Sequence, residues 1–301
     1  MNLLFRKPTI EDSDKLRKVL EKNRYRGCEL SVSNLILWSE YYHMEYTMID
    51  DVLIIRHTDE QGVQRLSYPI GAEQEEAEQR IFELELTYFS ELGQAPWFGL
   101  IDPEMYERIN RWYPERFEVS YERNWSDYIY NREKMSTLAG KKLHGKRNHI
   151  KRFIEQHPEW RYESLTEENV EDCVVMAKRW CRTNCCQEDD EKEEEFHLVI
   201  RALRNFQALH MKGGLLRIKE GVVAFTLGSP ITADTFDVSF EKAFSDIQGT
   251  YPMINQQFVL HELQEYTYVN REEDLGVEGL RKAKLSYYPE ILLEKGIIRE
   301  K

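Results

Sequence analysis

The chain has 301 residues, which predicts two domains of ordinary size, and 32% of these residues are charged. The 41 basic and 54 acidic side chains give a net charge of −13, which excludes long-range attraction to nucleic acid or to an anionic membrane. Any polyanionic partner must therefore use a local basic patch. No apolar run is long enough for a membrane-spanning helix or a signal peptide, so we expect a cytoplasmic protein with no integral membrane segment.

In the first half of the chain, short alternating runs predict an antiparallel meander that is followed by helix, strand, helix and strand. Gly93 fits the C-cap of the first helix, and Asp102-Pro103 fits the start of the second. The predicted elements are strands at 44–50, at 51–57 and through Leu66 and Tyr68, a helix at 73–92, a strand at 97–101, a short helix from 102 and a strand at 117–121.

The same order of elements recurs near the C-terminus, after three helical segments predicted at 144–156, 167–183 and 194–211. In the third strand, Phe236, Val238 and Phe240 alternate with polar residues, which predicts that they share one face. The predicted elements are strands at 215–218, 222–227 and 235–240, a helix at 251–264, a strand at 266–269 and a helix at 277–284.

Meander, helix, strand, helix and strand thus occur twice, offset by roughly 170 residues, as in a duplicated domain. We predict an α/β fold with mixed sheets, divided into residues 1–140 and 141–301. The order of elements is similar to that of the GCN5-related N-acyltransferase (GNAT) fold, so each half is expected to be GNAT-like.

The five cysteines, an odd number, predict free thiols. Cys181, Cys185 and Cys186 precede His197, but their spacing differs from that of paired zinc knuckles, so no metal site is expected. Residues 188–195 contain seven acids and one lysine, which predicts a mobile, solvated loop.

A basic segment stands out against this acidic composition. Residues 141–152 contain six basic side chains and no acid, on a predicted helix whose remaining face is apolar. Either this is a solvated face or it binds a phosphate-bearing substrate. The sequence from Gly140 to Arg147 comes close to a phosphate-binding loop, but Arg147 stands where a hydroxyl residue must ligate magnesium, so a nucleotide loop is not expected.

A coenzyme A site of the usual acetyltransferase kind would need small residues and a base in the turn before the second-half helix. That turn contains Asp246, Gly249 and Tyr251 instead, which disfavours coenzyme A as the donor.

Four stretches resemble soluble relatives of the C-terminal domain of phosphatidylglycerol lysyltransferases: residues 138–150, 239–243, 254–258 and 270–287. The resemblance runs from about residue 24 onward. It implies two tandem GNAT-like domains, similar to peptidyltransferases that take amino acids from charged tRNA. In the lysyltransferases a multispanning membrane module accompanies this domain.

The last block has the composition of an anion site, because basic residues follow a strand end and two glycines that open a helix. The alternative is an ordinary helix capped by Asp274. Glu241, at the end of the third strand of the second meander, lies where such folds place the carboxylate that deprotonates an attacking amine. Its alternative is a salt bridge to a nearby base.

These observations predict an aminoacyl or acyl transferase acting on an amine or hydroxyl, with Glu241 as the base. No cofactor is required, and the donor is charged tRNA or an acyl-coenzyme A. An acetyl-coenzyme A dependent N-acetyltransferase and a non-catalytic binding protein are the alternatives. The predicted donor-binding residues are Lys142, Lys146, Arg147, Asn148, Asn255, Asn270, Arg271, Asp274, Arg281 and Lys284.

Overall fold

The computed structural model describes residues 3–186 and 190–301. The strands are β1 (Met44–Ile49), β2 (Val52–Thr58), β3 (Gln64–Ser67), β4 (Trp97–Ile101), β5 (Phe117–Tyr121), β6 (Asp127–Asn131), β7 (Arg161–Ser164), β8 (Lys212–Ile218), β9 (Gly221–Pro230), β10 (Thr235–Ala243), β11 (Tyr268–Asn270), β12 (Ile291–Leu293) and β13 (Gly296–Glu300).

The helices lie between these strands and, at the start, ahead of them. They are α1 (Ser13–Leu20), α2 (Val32–Leu37), α3 (Glu75–Leu92), α4 (Pro103–Trp112), α5 (Arg132–Thr137), α6 (His144–Gln156), α7 (Val170–Thr183), α8 (Asp190–Arg204), α9 (Thr250–Glu262) and α10 (Glu278–Leu285). None of them has the length and apolarity needed to cross a bilayer.

The two sheets repeat one topology. The first sheet has the order β1-β2-β3-β4-β13-β5 and the second the order β12-β6-β11-β10-β9-β8-β7. In each, an antiparallel meander is followed by a helix and a strand parallel to the third, so that β4 lies beside β3 and β11 beside β10. The predicted fold class, an α/β protein with mixed sheets and a duplicated order of elements, is confirmed.

Each sheet contains one strand from the other half of the chain. The C-terminal β13 lies between β4 and β5, and β6 lies between β11 and β12. Both pair antiparallel to their neighbours. The division of the chain into domains at residues 1–140 and 141–301 stays a prediction. Each sheet nevertheless contains one strand from the other side of this boundary.

The ends of two helices follow the predicted signals. Gly93 adopts a left-handed φ of 67° and ends α3, a conformation that costs glycine little. The Asp102 side chain accepts a 2.7 Å hydrogen bond from the Met105 N–H at the start of α4, with Pro103 in the first turn. Local capping thus sets where the chain turns back onto the first sheet.

A bulge in β10 changes which face its side chains use. The register with β9 shifts between Asp237 and Phe240. Phe236 and Val238 therefore pack in the core between the second sheet and α9, whereas Phe240 packs with α7 and α8 in the other core. The predicted common face for the three is wrong because the extra residue breaks the alternation. As a result, Glu241 points to α9.

The acidic run is helical where it is described. Residues 190–195 form the first turns of α8, so the predicted loop is wrong there, and residues 188 and 189 lie outside the described residues. Acidic side chains are favoured at a helix N-terminus because they offset its positive dipole. Glu195 also forms a 2.7 Å ion pair with Lys242 of β10.

The exchanged strand gives the first prediction. Ile298 of β13 is fully buried and lies opposite Phe98 and Val119. Replacing Ile298 with Ala should lower the free energy of unfolding by about 2–5 kcal/mol, because it leaves a cavity in the first sheet. Native-state hydrogen exchange should then lose protection in β4 and β5. Leu292→Ala, at a 38% exposed position of β12, is the control. Loss of protection confined to the second sheet would contradict the exchange.

Candidate functional site

The predicted base lies in a cluster of polar side chains beside α9. Glu241 accepts a 2.9 Å hydrogen bond from the guanidinium of Arg271 at Oε1 and a 3.0 Å bond from the amide of Asn255 at Oε2. The carboxylate side chain is only 12% exposed. The salt bridge that was the alternative reading of Glu241 is therefore present, and a role as base stays a prediction.

Lys146 of α6 brings a second positive charge to this place. Its ammonium lies 4.0 Å from the centre of the Tyr287 ring, and the Arg271 guanidinium lies 5.0 Å from the same ring. Burial, together with the nearby Arg271, lowers the pKa of Lys146 to about 8. We call Lys146, Glu241, Asn255, Arg271 and Tyr287 the Glu241 cluster.

The other predicted residues of the basic segment differ in what they contact. Lys142 is exposed and lies 5.0 Å from the ring of Tyr288. Arg147 donates to the carbonyl oxygens of Leu138 and Gly140, and so holds the loop before α6. Asn148 is exposed, 3.1 Å from the His144 ring. The segment thus presents Lys142 to solvent and Lys146 to the cluster, while Arg147 has structural partners.

Arg281 and Lys284, two basic residues of the last block, are already paired. Arg281 makes two 2.8 Å hydrogen bonds to the buried carboxylate of Asp274, which lowers the pKa of that carboxyl. The Lys284 ammonium is buried and donates to the carbonyl oxygens of Arg271 and Glu273. The structure therefore brings Lys146 of the basic segment to Arg271, while Arg281 and Lys284 hold the loop that carries Arg271.

A second cluster lies at the centre of the molecule, around the ammonium of Lys295. This side chain is 5% exposed, and its Nζ lies 2.7 Å from Glu29, 2.8 Å from Asp127 and 3.1 Å from Glu273. The lysine precedes β13, and the three acids come from the N-terminal segment, β6 and the loop after β11. We call Cys28, Glu29, Asp127, Glu273 and Lys295 the lysine cluster.

The lysine cluster contains three carboxyl groups and one ammonium, so the carboxyl groups differ in their pKa values. Burial raises the pKa of Asp127 to about 7, against the pull of Lys295. Burial acts on Glu273 in the same direction, but the charge of Lys295 and the hydrogen bonds to the Glu273 carboxylate together outweigh it and lower the pKa of Glu273 to about 2. The predicted site residue Asn270 is also here, donating 2.7 Å and 2.8 Å hydrogen bonds to Asp127 and to the carbonyl of Arg26. Asn270 therefore holds strands together and lies apart from the Glu241 cluster.

The lysine cluster contains a geometry that could suit a cation. One ligand atom from each of Cys28, Asp127 and Glu273 lies within 4.8 Å of the others. However, Lys295 already places a positive charge against both carboxylates, and burial raises the pKa of the Cys28 thiol. A metal ion would have to displace that ammonium, so these residues do not fit a metal site.

The residues of the lysine cluster were missed from the sequence. Lys295 is a single lysine before a short strand, and no periodicity marks it. Asp127 offered one signal, because it precedes the buried run of Tyr128, Ile129 and Tyr130 and so placed an acid next to a core strand.

The duplicated mixed sheets define a protein of the GNAT-like fold class. The chain belongs to the family described as phosphatidylglycerol lysyltransferase, C-terminal, whose model matches residues 21–297.

Solved structures and one curated protein extend this comparison. A conserved protein of unknown function from Bacteroides thetaiotaomicron is 36% identical, with a TM-score of 0.92 and full coverage of both chains. The L-PGS structure from Bacillus licheniformis shares the fold, with a TM-score of 0.64 and 16% identity over 96% of this chain and 91% of that one. An uncharacterized protein from Mycoplasmoides gallisepticum is 22% identical over 62% of this chain and 61% of its own length.

The lysine cluster gives a stability prediction. Replacing Lys295 with Met should lower the free energy of unfolding by about 3–5 kcal/mol, because it leaves buried carboxylates without their cation. Urea denaturation measures the effect. Lys282→Met, at an exposed position of α10, should change the stability little. A Lys295→Met protein as stable as the control would show that the cluster does not hold the fold.

All five cysteines, which lie in the described ranges, are free, and Cys185 is exposed. Burial raises the pKa of Cys173 to about 12, which makes that thiol unreactive. A thiol reagent should therefore modify Cys185 rapidly in the native protein, and all five cysteines after unfolding without reductant. Fewer than five reactive thiols in the unfolded protein would reveal a disulfide and overturn this assignment.

Proposed function

We propose that this protein transfers an aminoacyl or acyl group from a phosphate-bearing donor, specifically charged tRNA, to an amine or hydroxyl acceptor. The Glu241 cluster carries the proposal, because it joins a buried carboxylate to Lys146 on the one strongly basic segment of an acidic chain. Membership of a family named for lysyl transfer supports the same reaction class.

In this proposal Glu241 accepts the proton of the acceptor. The acceptor nitrogen or oxygen attacks the carbonyl carbon of the aminoacyl ester, the bond from that carbon to the ribose oxygen breaks, and the proton passes through Glu241 to the departing oxygen. Asn255 adds a second contact, since its buried Oδ1 accepts no hydrogen bond from the described part of the chain. That oxygen is suited to orient an acceptor N–H or O–H beside the carboxylate.

The donor is held by charge. Lys142 precedes α6 and lies beside Tyr288, and Lys146 lies in the first turn of α6 beside Tyr287. Aromatic rings next to cations are suited to a nucleic-acid end, because bases stack on rings while phosphates pair with lysine. The remaining acidic surface would keep the rest of the tRNA away, so binding is expected to be local and sensitive to salt.

Two helix N-termini argue against coenzyme A as the donor. A Cβ on Gly249, which precedes α9, would lie 2.3 Å from the carbonyl oxygen of His149, so α6 covers this end of α9. The equivalent helix in the first half, α3, has Glu75, Glu76 and Glu78 in its first turn. A pyrophosphate would meet a blocked end at α9 and three negative charges at α3.

The base role can be tested by removing the charge of Glu241 at constant shape. Glu241→Gln should lower the rate of transfer from labelled charged tRNA by about 10²–10⁴-fold, because glutamine keeps the shape of the side chain but cannot accept the proton. Transfer is measured with a cell extract that supplies acceptors. Glu278→Gln, an exposed acid at the start of α10, is the control. Wild-type transfer by Glu241→Gln would eliminate this residue as the base.

Donor binding can be tested by removing two charges from the basic segment. Lys142→Ala/Lys146→Ala should weaken binding of charged tRNA and lower the log-log salt slope by about one unit per phosphate contact. The charge-matched control is Lys178→Ala/Lys219→Ala, at two exposed positions elsewhere. Arg147 is left unchanged because it holds the loop. Equal affinity and slope in both double variants would contradict the donor site.

The pKa of Lys146 adds a pH test. Because burial lowers this pKa to about 8, the lysine is charged below pH 8 and loses its charge above it. Affinity for charged tRNA should therefore fall as the pH rises through about 8, and Lys146→Met should bind with a flatter pH profile. Lys141→Ala, an exposed lysine of the same segment, should keep the wild-type profile.

A further inference from the structure

A cleft of about 310 Å³ lies on the face of the first sheet, away from the Glu241 cluster. Its volume is that of a small-molecule site. Apolar walls come from Ile55, Leu100, Trp125 and Ile297. The charged and polar lining includes Arg65, Glu29, His57, Glu273 and Lys295. Because successive strand residues point to opposite faces, the strand registers place Ile55, Arg65 and Gly99 on this face and Phe98 on the other.

Arg65 is the unusual residue of this cleft. It is partly buried, and among the described residues its guanidinium has no hydrogen bond and no ion pair. Within the described ranges, the aromatic ring that its guanidinium faces is that of Trp97, 5.7 Å from the ring centre. A desolvated cation without a partner is costly, so an anion is expected to complete it.

Two neighbouring residues, Gly99 and His57, favour the binding of an anion at Arg65. A Cβ on Gly99 would lie 3.0 Å from Arg65 Cδ, so the absence of a side chain lets the arginine lie flat across β4. His57 lies directly opposite Arg65 in the pairing of β2 with β3, and no hydrogen bond to its ring is found in residues 3–186 or 190–301. One carboxylate could accept hydrogen bonds from both the Arg65 guanidinium and the His57 ring.

The cleft also contains a negatively charged group, the carboxylate of Glu29. Glu29 pairs with Lys295 through Oε1 at 2.7 Å, but its Oε2 is buried and accepts no hydrogen bond from the part of the chain that is described. An ammonium or another donor would satisfy that atom. The cleft therefore offers a cation, an acceptor and apolar walls within one small volume.

We propose that this cleft binds a free α-amino acid with an apolar side chain. The carboxylate pairs with Arg65, the ammonium donates to Glu29 Oε2, and the side chain packs on Ile55, Leu100 and Trp125. The proposal does not rest on the proposed transfer reaction. The two sites are nevertheless linked by one loop, because Arg271 contacts Glu241 and Glu273 lines the cleft.

Calorimetric titration with three apolar amino acids and two analogues of phenylalanine tests this assignment. L-phenylalanine should bind the wild-type protein, phenylalanine amide lacks the carboxylate, and 3-phenylpropionate lacks the amine. Each analogue should bind about tenfold more weakly or worse, because each leaves one buried charged group unpaired. If none of phenylalanine, leucine and methionine binds at millimolar concentration, or if the amide binds as well as the acid, the proposal is overturned.

Variants assign the binding to the cleft. Arg65→Gln should weaken phenylalanine binding by about tenfold or more, whereas Arg299→Gln should not change it. Arg299 is the matched control, because it is exposed and lies 4.5 Å from the same Trp97 ring. Gly99→Ala keeps every charge but displaces Arg65, and it should also weaken binding. Thermal unfolding confirms that each variant is folded, and unchanged affinity in a folded Arg65→Gln protein would refute the site.

Binding of charged tRNA by Arg65→Gln separates this site from the proposed function. The variant should lose phenylalanine binding and keep tRNA binding, because the cleft and the Glu241 cluster use different side chains. Loss of tRNA binding by Lys142→Ala/Lys146→Ala, with phenylalanine affinity intact, gives the complementary result. Loss of both ligands in a folded Arg65→Gln protein would contradict a separate amino acid site.

Discussion

The ammonium of Lys295, buried among three carboxylates, is the constraint on which the rest of the structure depends. It joins the N-terminal segment through Glu29, the exchanged strand β6 through Asp127, and the loop after β11 through Glu273. Burying such charges costs several kcal/mol unless every contact is made, so the segments must assemble together. Because β13 follows Lys295 directly, the same contact places the C-terminal strand in the first sheet.

The loop after β11 connects this constraint to both sites. Within this loop, Arg271 forms a hydrogen bond with Glu241 and Glu273 forms one with Lys295. The backbone carbonyl oxygens of Arg271 and Glu273 both accept hydrogen bonds from Lys284. Glu272 lies between them in a left-handed conformation, with φ of 59°, which is uncommon for a residue with a side chain. A left-handed residue with a side chain is typical of sites where the surrounding contacts fix the geometry of functional groups. The proposed transfer site and the amino acid cleft therefore share one support.

Local patterns predicted the elements well, because periodicity and capping act over a few residues. The bounds of α6, β4 and β5 match the prediction, as does the end of α3 at Gly93. The exchanged strands could not be predicted, since pairing between β13 and β5 depends on residues far apart in the chain. For the same reason only some of the predicted site residues lie together. Lys146, Glu241 and Arg271 are close to one another, whereas Arg281 forms a salt bridge with Asp274. Similar basic residues differ in function according to which acids reach them.

Transfer itself is the property to measure. The wild-type protein should be incubated with tRNA charged with a pool of labelled amino acids and with a metabolite extract, and the label should be followed by chromatography and mass spectrometry. If Glu241 and the basic segment act together, label will leave the tRNA and appear in an amide or ester product only when the protein is present. Label that stays on the tRNA, or leaves it only as free amino acid, would contradict the proposed transferase and favour a binding protein.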